Sequence, residues 1–174
     1  MRPNNAVKWG LAAVVVSWCL ATALFAAFGS VEGRIAINLP DGTTAHGDWI
    51  RVLLVTESVD TEAISRDVDA QIAQVGGGRQ GVRTNRLHLE FYKQVMARMT
   101  ANPRYVAAST LTTEDGTFKF AGVAPGDYWV VITFPSIIQN YKVAWQVPVR
   151  MTADGGAFLP LTEGNLLFPL EPPR

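Results

Sequence analysis

The stretch Thr112–Pro135, TTEDGTFKFAGVAPGDYWVVITFP, decides the fold of this chain. Asp115-Gly116 predicts a tight hairpin turn, because glycine adopts a positive φ at no steric cost. The next four residues alternate polar and apolar, which is typical of a half-buried strand. Pro125-Gly126 predicts a type II turn, again with a positive φ at the glycine. The strand after it is expected to place four large residues on one inward face: Tyr128, Val130, Ile132 and Phe134. The stretch therefore predicts successive strands of a β-sandwich.

This stretch also carries a family resemblance, through the motif T-x-x-D-G-x-F-x-F-x-G-V-x-P-G-x-Y. The matching residues are Asp115, Gly116, Phe118, Phe120, Gly122, Val123, Pro125, Gly126 and Tyr128. The motif resembles the signature of carboxypeptidase regulatory-like domains, which have a transthyretin-like (prealbumin-like) fold. The resemblance covers Val31–Val55 and Tyr105–Met151, and departs from the family at the inserted Ser58–Pro103. It implies a mainly β, Greek-key sandwich of about seven strands that serves adhesion, docking or stability.

The N-terminal segment predicts a membrane anchor. Residues 9–28 contain no charged side chain, and a helix of that length crosses a bilayer core of about 30 Å. Arg2 and Lys8 precede the segment, so the positive-inside rule places residues 1–8 in the cytoplasm. The domain at 31–165 would then be periplasmic, on a chain held in the inner (cytoplasmic) membrane.

Two features of this segment leave alternatives open. Ala-Phe-Gly before Ser30 is a passable cleavage site, so a secreted protein with a cleaved signal peptide is the competing interpretation. Ala13, Ser17 and Ala21 recur every four residues, a spacing that lets transmembrane helices approach closely. They are candidate residues for docking against another membrane helix, although alanine is also simply common in apolar segments.

The insertion at 58–103 predicts a helical hairpin. Asp60 is a candidate N-cap for the first helix. Its apolar stripe is Ile64, Val68, Ile72 and Val75. A second helix is expected from about Thr84 to Thr100, ended by Asn102-Pro103. Its apolar stripe is Leu87, Phe91, Val95 and Met99. The first helix is acidic and the second basic, so an antiparallel hairpin would bring opposite charges together.

One sheet face needs a cover. If Ile50, Val52 and Leu54 point into the sandwich, the alternate residues of that strand point outward. The candidate partner surface consists of Trp49, Leu53, Trp129 and Val131. The inserted hairpin could cover these residues, a partner protein could bind them, or an outward tryptophan could stack on sugar rings.

Two C-terminal segments complete the sandwich. Tyr141–Met151 predicts a strand with Val143, Trp145, Val147 and Val149 inward, and Pro148 favours an edge position. A last short strand is expected at about 157–161. The Pro-rich tail at 166–174 is expected to be a final strand or an extended arm laid on a neighbour.

Composition argues against catalysis and against nucleic acid as a partner. Lys plus Arg and Asp plus Glu both number 15, giving a net charge of zero. The one cysteine, Cys19, lies in the apolar segment, so no intramolecular disulfide can form. His46 and His88 belong to distant segments and offer no metal-ligand spacing. No nucleophile elbow or phosphate-binding loop is present. We expect no catalytic residue, no metal and no cofactor.

The sequence supports one principal hypothesis and two alternatives. The principal hypothesis is a non-enzymatic, single-pass accessory subunit of a larger membrane complex, of photosynthetic, respiratory, transport or secretion type. Its partners would be the lipid bilayer and other integral membrane subunits, with the periplasmic sandwich docking on the complex. The first alternative is a membrane-tethered module that binds glycan or peptidoglycan through Trp129 and Trp49. The second is the secreted protein already mentioned.

Overall fold

The structure, a computed structural model, describes residues 28–74, 80–152 and 155–171. Neither helix in these ranges is long and apolar enough to cross a bilayer. The anchor predicted at 9–28 lies outside the described residues except for Phe28, as do the predicted docking residues Ala13, Ser17 and Ala21. The anchor therefore stays a prediction.

The described residues form ten strands, two α-helices and one short 3-10 helix, Glu163–Asn165. The strands are β1 (Gly29–Asn38), β2 (Thr44–His46), β3 (Arg51–Val55), β4 (Val106–Leu111), β5 (Thr117–Val123), β6 (Gly126–Ile132), β7 (Ile137–Ile138), β8 (Tyr141–Lys142), β9 (Trp145–Met151) and β10 (Gly156–Leu161). The helices are α1 (Thr61–Gln74) and α2 (Gln80–Ala101), inserted between β3 and β4. The mainly β fold with an inserted helical hairpin is confirmed, with ten strands instead of about seven.

The first sheet is built around β1. This strand pairs antiparallel with β5 on one side, parallel with β10, and through its last residues with β2. The sequence did not predict the parallel pairing of the first and last strands. Gly33 lies at the middle of β1, where an added Cβ would collide with the Phe118 ring and the carbonyl oxygen of Leu159. Glycine is required there by close packing.

The second sheet has the order β4-β3-β6-β9, with every pair antiparallel. Pro148 lies in β9, at one edge of this sheet, which confirms its predicted edge position. The other edge strand is β4. A small ribbon of β7 and β8 stands apart from both sheets.

The turns of the defining stretch join the two sheets. Asp115-Gly116 makes the expected turn, with Gly116 at φ 80°. However, it connects β4 of the second sheet to β5 of the first, so the predicted hairpin is wrong. Pro125-Gly126 crosses back to β6 in the same way, and Gly126 does not adopt the positive φ expected of a type II turn. The stretch therefore crosses the sandwich twice.

The space between the sheets is filled by the inward residues of both. Val31, Ile35, Phe118 and Phe120 of the first sheet are buried there. They face inward residues of the second sheet: Val52, Leu54, Val130, Ile132, Trp145 and Val149. The predicted inward alternation is confirmed within β3, β6 and β9. The prediction that Phe134 also points inward is wrong, because β6 ends at Ile132 and the Phe134 side chain is exposed beyond it. Burial of the inward apolar surface is the main stabilising term.

The two helices form a third layer on the outer face of the second sheet. Ile64 and Val68 of α1, with Leu87, Phe91 and Val95 of α2, are buried against that face. Asp60 caps α1 as predicted, since its Oδ1 accepts a hydrogen bond from Ala63 N at 2.9 Å. The opposite charges of the hairpin meet at Asp69 and Arg83, 2.6 Å apart. The layer is completed by the chain's own C-terminal tail.

The described part of that tail runs over the same chain and forms no strand. Phe168 is buried between the helices and the sheet, with its ring 4.9 Å from that of His88. Leu167 N donates to Ala144 O at 2.9 Å, and Thr84 Oγ1 donates to Glu171. The described tail is thus not the final strand that was one prediction, and it is an extended arm that packs on its own chain instead of on a neighbour.

The strands define two ends of the sandwich. The start end holds Gly29, where β1 begins, with Val123 and Met151 close by in the register. The far end holds Asn38, where β1 finishes, together with Leu111 and Ile132, the last residues of β4 and β6. Phe28, the first described residue, precedes β1 at the start end, whereas the site described next lies at the far end.

Candidate docking groove

A groove opens at the far end, where α2 leaves a corner of the second sheet uncovered. It encloses about 670 Å³. Its lining comes from the start of β3, the end of β4, one face of α2 and the loop after β6. The lining residues are Asp48, Trp49, Ile50, Arg51, Leu53, Tyr92, Val95, Met96, Met99, Leu111, Thr133, Phe134, Pro135, Ser136 and Ile137. We call this feature the far-end groove.

The groove concentrates the exposed apolar surface of the described chain. Eight large hydrophobic side chains are exposed among the described residues, and five of them line this one groove: Trp49, Met96, Leu111, Phe134 and Ile137. The Trp49 side chain is 64% exposed. A contiguous apolar patch of this kind on a folded domain marks an interaction site, whereas single exposed residues need no explanation.

Trp49 owes its position to an uncommon backbone conformation. Its φ is 55°, in the left-handed region that bulky residues rarely adopt. The next residue is pinned by buried Thr112, whose Oγ1 accepts a hydrogen bond from Ile50 N at 2.8 Å. Thr112 N in turn donates to Ile50 O at 2.9 Å. This pair of bonds fixes the start of β3 and turns the indole outward into the groove.

One wall of the groove is a second apolar row on α2. Tyr92 and Met96 are four residues apart and lie beside the buried stripe that contains Val95 and Met99. The Tyr92 ring meets the Phe134 ring edge to face, with centroids 5.8 Å apart. This contact joins the helix to the loop after β6 and closes that side of the groove.

Three polar groups of the groove have no described partner. Arg51 and Asp48 are exposed, and neither forms an ion pair within 4 Å in the described part of the chain. The Thr133 Oγ1 atom is buried and has no hydrogen-bond partner in residues 28–74, 80–152 and 155–171. An occupant can therefore gain polar contacts with Arg51 and Asp48 as well as apolar contacts at the walls of the groove, whereas the buried Thr133 hydroxyl is out of its reach.

The four residues of the predicted partner surface do not lie together on the surface of the protein. Trp49 is exposed in the groove, as expected. The prediction that Leu53 and Val131 lie on the surface is wrong, because both are buried under the helices. Trp129 points to the same face but packs half-buried against that helix-covered core, outside the groove lining. The inserted hairpin is thus the cover for most of this face.

The sequence analysis missed most of the groove. Met96, Leu111, Phe134 and Ile137 were not among the predicted site residues. The sequence of α2 does indicate a second contact surface. Residues 92, 95, 96 and 99 give this helix an apolar face that is wider than the single stripe needed to pack on the sheet. No comparable signal existed for the loop residues, whose position depends on how the sheet ends.

The described residues also offer little for metal chemistry. No cluster of three or more His, Cys, Asp or Glu side chains that could hold a metal ion occurs in them. The expectation of no catalytic residue, metal or cofactor remains a prediction. The two histidines lie in different environments, since His46 is exposed in β2 and His88 is buried under the tail.

Comparison with known proteins gives weak likenesses. No protein-family model matches the chain, and no curated protein matches it significantly. A candidate carbohydrate-binding protein from Pseudomonas aeruginosa superposes with a TM-score of 0.45 at 13% identity, over 79% of this chain and 89% of that one. The minor pilin GBS52 of Streptococcus agalactiae gives 0.42 at 10% identity, over 78% and 44%. The pilus backbone protein RrgB of Streptococcus pneumoniae gives 0.32 at 10%, over 75% and 40%.

This chain spans less than half of either pilin's length. At such similarity the β-sandwich assignment rests on the strand pairing of this chain itself. Membership of the carboxypeptidase regulatory-like family stays a prediction. The activities named for the three proteins belong to those proteins.

Proposed function

We propose that this chain is a non-enzymatic docking module, tethered to a membrane by its N-terminal segment, which binds a partner protein through the far-end groove. The observation that carries the proposal is the gathering of five exposed large hydrophobic side chains in one groove. The partner would be an exposed part of a larger membrane complex, to which this chain belongs as an accessory subunit.

The make-up of the groove favours a protein occupant. Met96 and Met99 supply flexible, polarizable contacts, and Trp49 supplies a large rigid anchor. Methionine and tryptophan are both enriched at protein interfaces, and a few such anchors carry most of the binding energy. Arg51 adds a cation to the lining and Asp48 adds an anion, so the fitting segment is apolar with one acidic side chain towards Arg51 and a hydrogen-bond donor towards Asp48. A carboxylate that reaches this guanidinium would form a charge-assisted hydrogen bond.

Trp49→Ala is expected to lower the amount of co-purifying partner roughly tenfold or more, since truncating an anchor of this kind costs about 2 kcal/mol or more of binding energy. The measurement is extraction of the full chain from its native membrane in mild detergent, followed by intact mass spectrometry of the proteins that migrate with it. Residues 1–27 in the measured mass would also test the predicted anchor.

Phe158→Ala is the matched control for that variant. Phe158 is the most exposed large hydrophobic residue of the described chain, at 69%, and it lies on β10, away from the groove. The control should retain the partner. Equal loss with both variants, or equal retention, would contradict docking through the groove.

A second candidate function is glycan binding, favoured by the exposure of the Trp49 ring. A tryptophan face held outward by a fixed backbone can stack on a sugar ring, and exposed Asp48 and Arg51 lie within the same groove to bond its hydroxyl groups. Trp49 is favoured over Trp129 for this role, because Trp129 is half-buried beside the helices.

Purified peptidoglycan and chitin test this second candidate directly. If the groove binds sugar, the full chain in detergent is retained on one of these polymers, Trp49→Ala abolishes retention, and Phe158→Ala preserves it. Absence of retention on both polymers would count against this candidate and leave the protein-docking proposal standing.

A further inference from the structure

The edges of the two sheets are protected unequally. On the outer strands of the sandwich, β9 carries Pro148 and Arg150, β10 carries Pro160, β5 carries Lys119, and β2 is three residues long. Prolines, charges and short length are the usual means of preventing a sheet edge from pairing with another chain. The remaining edge strand, β4, has the sequence VAASTL, with no charge, no proline and no glycine.

The hydrogen-bonding groups of β4 divide between its two sides. Thr112 N donates to Ile50 O of the neighbouring strand segment at 2.9 Å. In an antiparallel pair the direction of these groups alternates along the strand, so Thr110 and Ala108 also face β3. Ser109 and Leu111 therefore direct their N–H and C=O groups away from the sheet. Within the described parts of the chain, these outward groups accept one hydrogen bond, from Thr110 Oγ1 to Leu111 O at 3.4 Å.

We propose that an extended segment of the partner protein pairs with the free edge of β4 as a fifth strand of the second sheet. This inference rests on the proposed function and specifies how the partner binds. Addition of a strand to an open edge is a common mode of peptide recognition, in which backbone bonds give affinity and side-chain pockets give specificity.

The groove and the edge form one continuous surface. Leu111 is the last residue of β4 and also lines the groove, and it is 51% exposed. On the helix-side face, Ser109 and Leu111 are both exposed because α2 does not extend over them. The partner strand carries uncharged residues where it pairs with β4, because β4 itself is uncharged. Its apolar side chains cover Leu111. Its acidic side chain lies at the groove, towards Arg51.

The test compares two substitutions at one position in the full chain, using the native detergent-extracted complex as the probe. Ser109→Pro removes the outward N–H without removing a bond to β3, whereas Ser109→Ala removes only the hydroxyl. Ser109→Pro is expected to reduce co-migrating partner at least tenfold, and Ser109→Ala to leave it unchanged. Thermal unfolding of both variants checks that the sandwich is intact.

Hydrogen exchange gives a second readout that needs no substitution at the edge. The peptide covering Val106–Leu111 should exchange slowly in the wild-type complex and faster in the Trp49→Ala chain that has lost its partner. If partner co-migrates with Ser109→Pro as with wild type, or if exchange at 106–111 is the same in both samples, edge pairing is wrong while groove docking stands. If no protein co-migrates with the wild-type chain, the proposed function fails and edge pairing fails with it.

Discussion

Trp145→Ala is expected to lower the free energy of unfolding by about 3–5 kcal/mol, the range for truncating a large aromatic side chain in a packed core. Trp145 is fully buried between the sheets at the start of β9. Its Nε1 donates hydrogen bonds to Thr162 O at 3.1 Å and to Asn165 Oδ1 at 3.0 Å. The substitution therefore leaves a cavity, and it also removes the two hydrogen bonds that hold the turn leading into the C-terminal tail. Guanidinium unfolding of the purified chain, followed by circular dichroism, measures the change.

Trp49→Ala is the paired control, since the same residue type is exposed at the groove and should change stability by less than about 0.5 kcal/mol. Trp145→Phe separates packing from hydrogen bonding, because it keeps a ring and loses the N–H donor. A Trp145→Ala chain as stable as Trp49→Ala would show that the inter-sheet core is not packed as described.

Acidification from pH 6.5 to pH 4 is expected to destabilise the domain by about 3 kcal/mol through one residue, His88. Burial lowers the pKa of His88 to about 4 from its ordinary 6.5, and the positive charge of Lys142 acts in the same direction. The unfolded chain binds a proton at His88 below pH 6.5, whereas the folded chain does not until about pH 4. Stability from this group is therefore complete above pH 6.5 and decreases as the pH falls.

His88→Phe should flatten this part of the stability profile, because phenylalanine preserves the packing against Phe168 and cannot be protonated. His46→Gln is the control, since His46 is exposed. An unchanged slope between pH 6.5 and pH 4 in His88→Phe would contradict the role given to His88.

Asp115 affects stability at lower pH than His88 does. Hydrogen bonds from Thr113 and Thr117 lower the pKa of Asp115 to about 2, so its contribution to stability is lost only as the pH falls from about 4 towards 2.

The parts of the fold that depend on local pattern could be read from the sequence. Alternation placed the inward residues correctly within β3, β6 and β9, but it failed for Phe134, which lies beyond the end of β6. The Asp60 cap and the apolar stripes located both helices. These signals work because side-chain direction repeats every two residues in a strand and about every 3.6 in a helix.

The path of the chain between the sheets could not be read in this way. A turn at Asp115-Gly116 suits a hairpin and a crossing between sheets equally well, and only the long-range partners of β4 and β5 distinguish them. The same limit applies to the groove. Leu53 and Leu111 both face the helix side of the second sheet, yet one is buried and the other exposed, because the crossing of α2 decides which part of that face it covers.

The pairing of β1 on both flanks has a mechanical consequence. A pull between the start of β1 and a partner held at the far-end groove would load this strand along its own axis. Its antiparallel bonds to β5 and its parallel bonds to β10 cover nearly the same residues, from about Ser30 to Ile35. They would be loaded in shear and would have to break together, whereas a strand peeled from an edge loses its bonds one at a time. The position of β1 suits the domain to transmit tension between a tether at one end and a bound partner at the other.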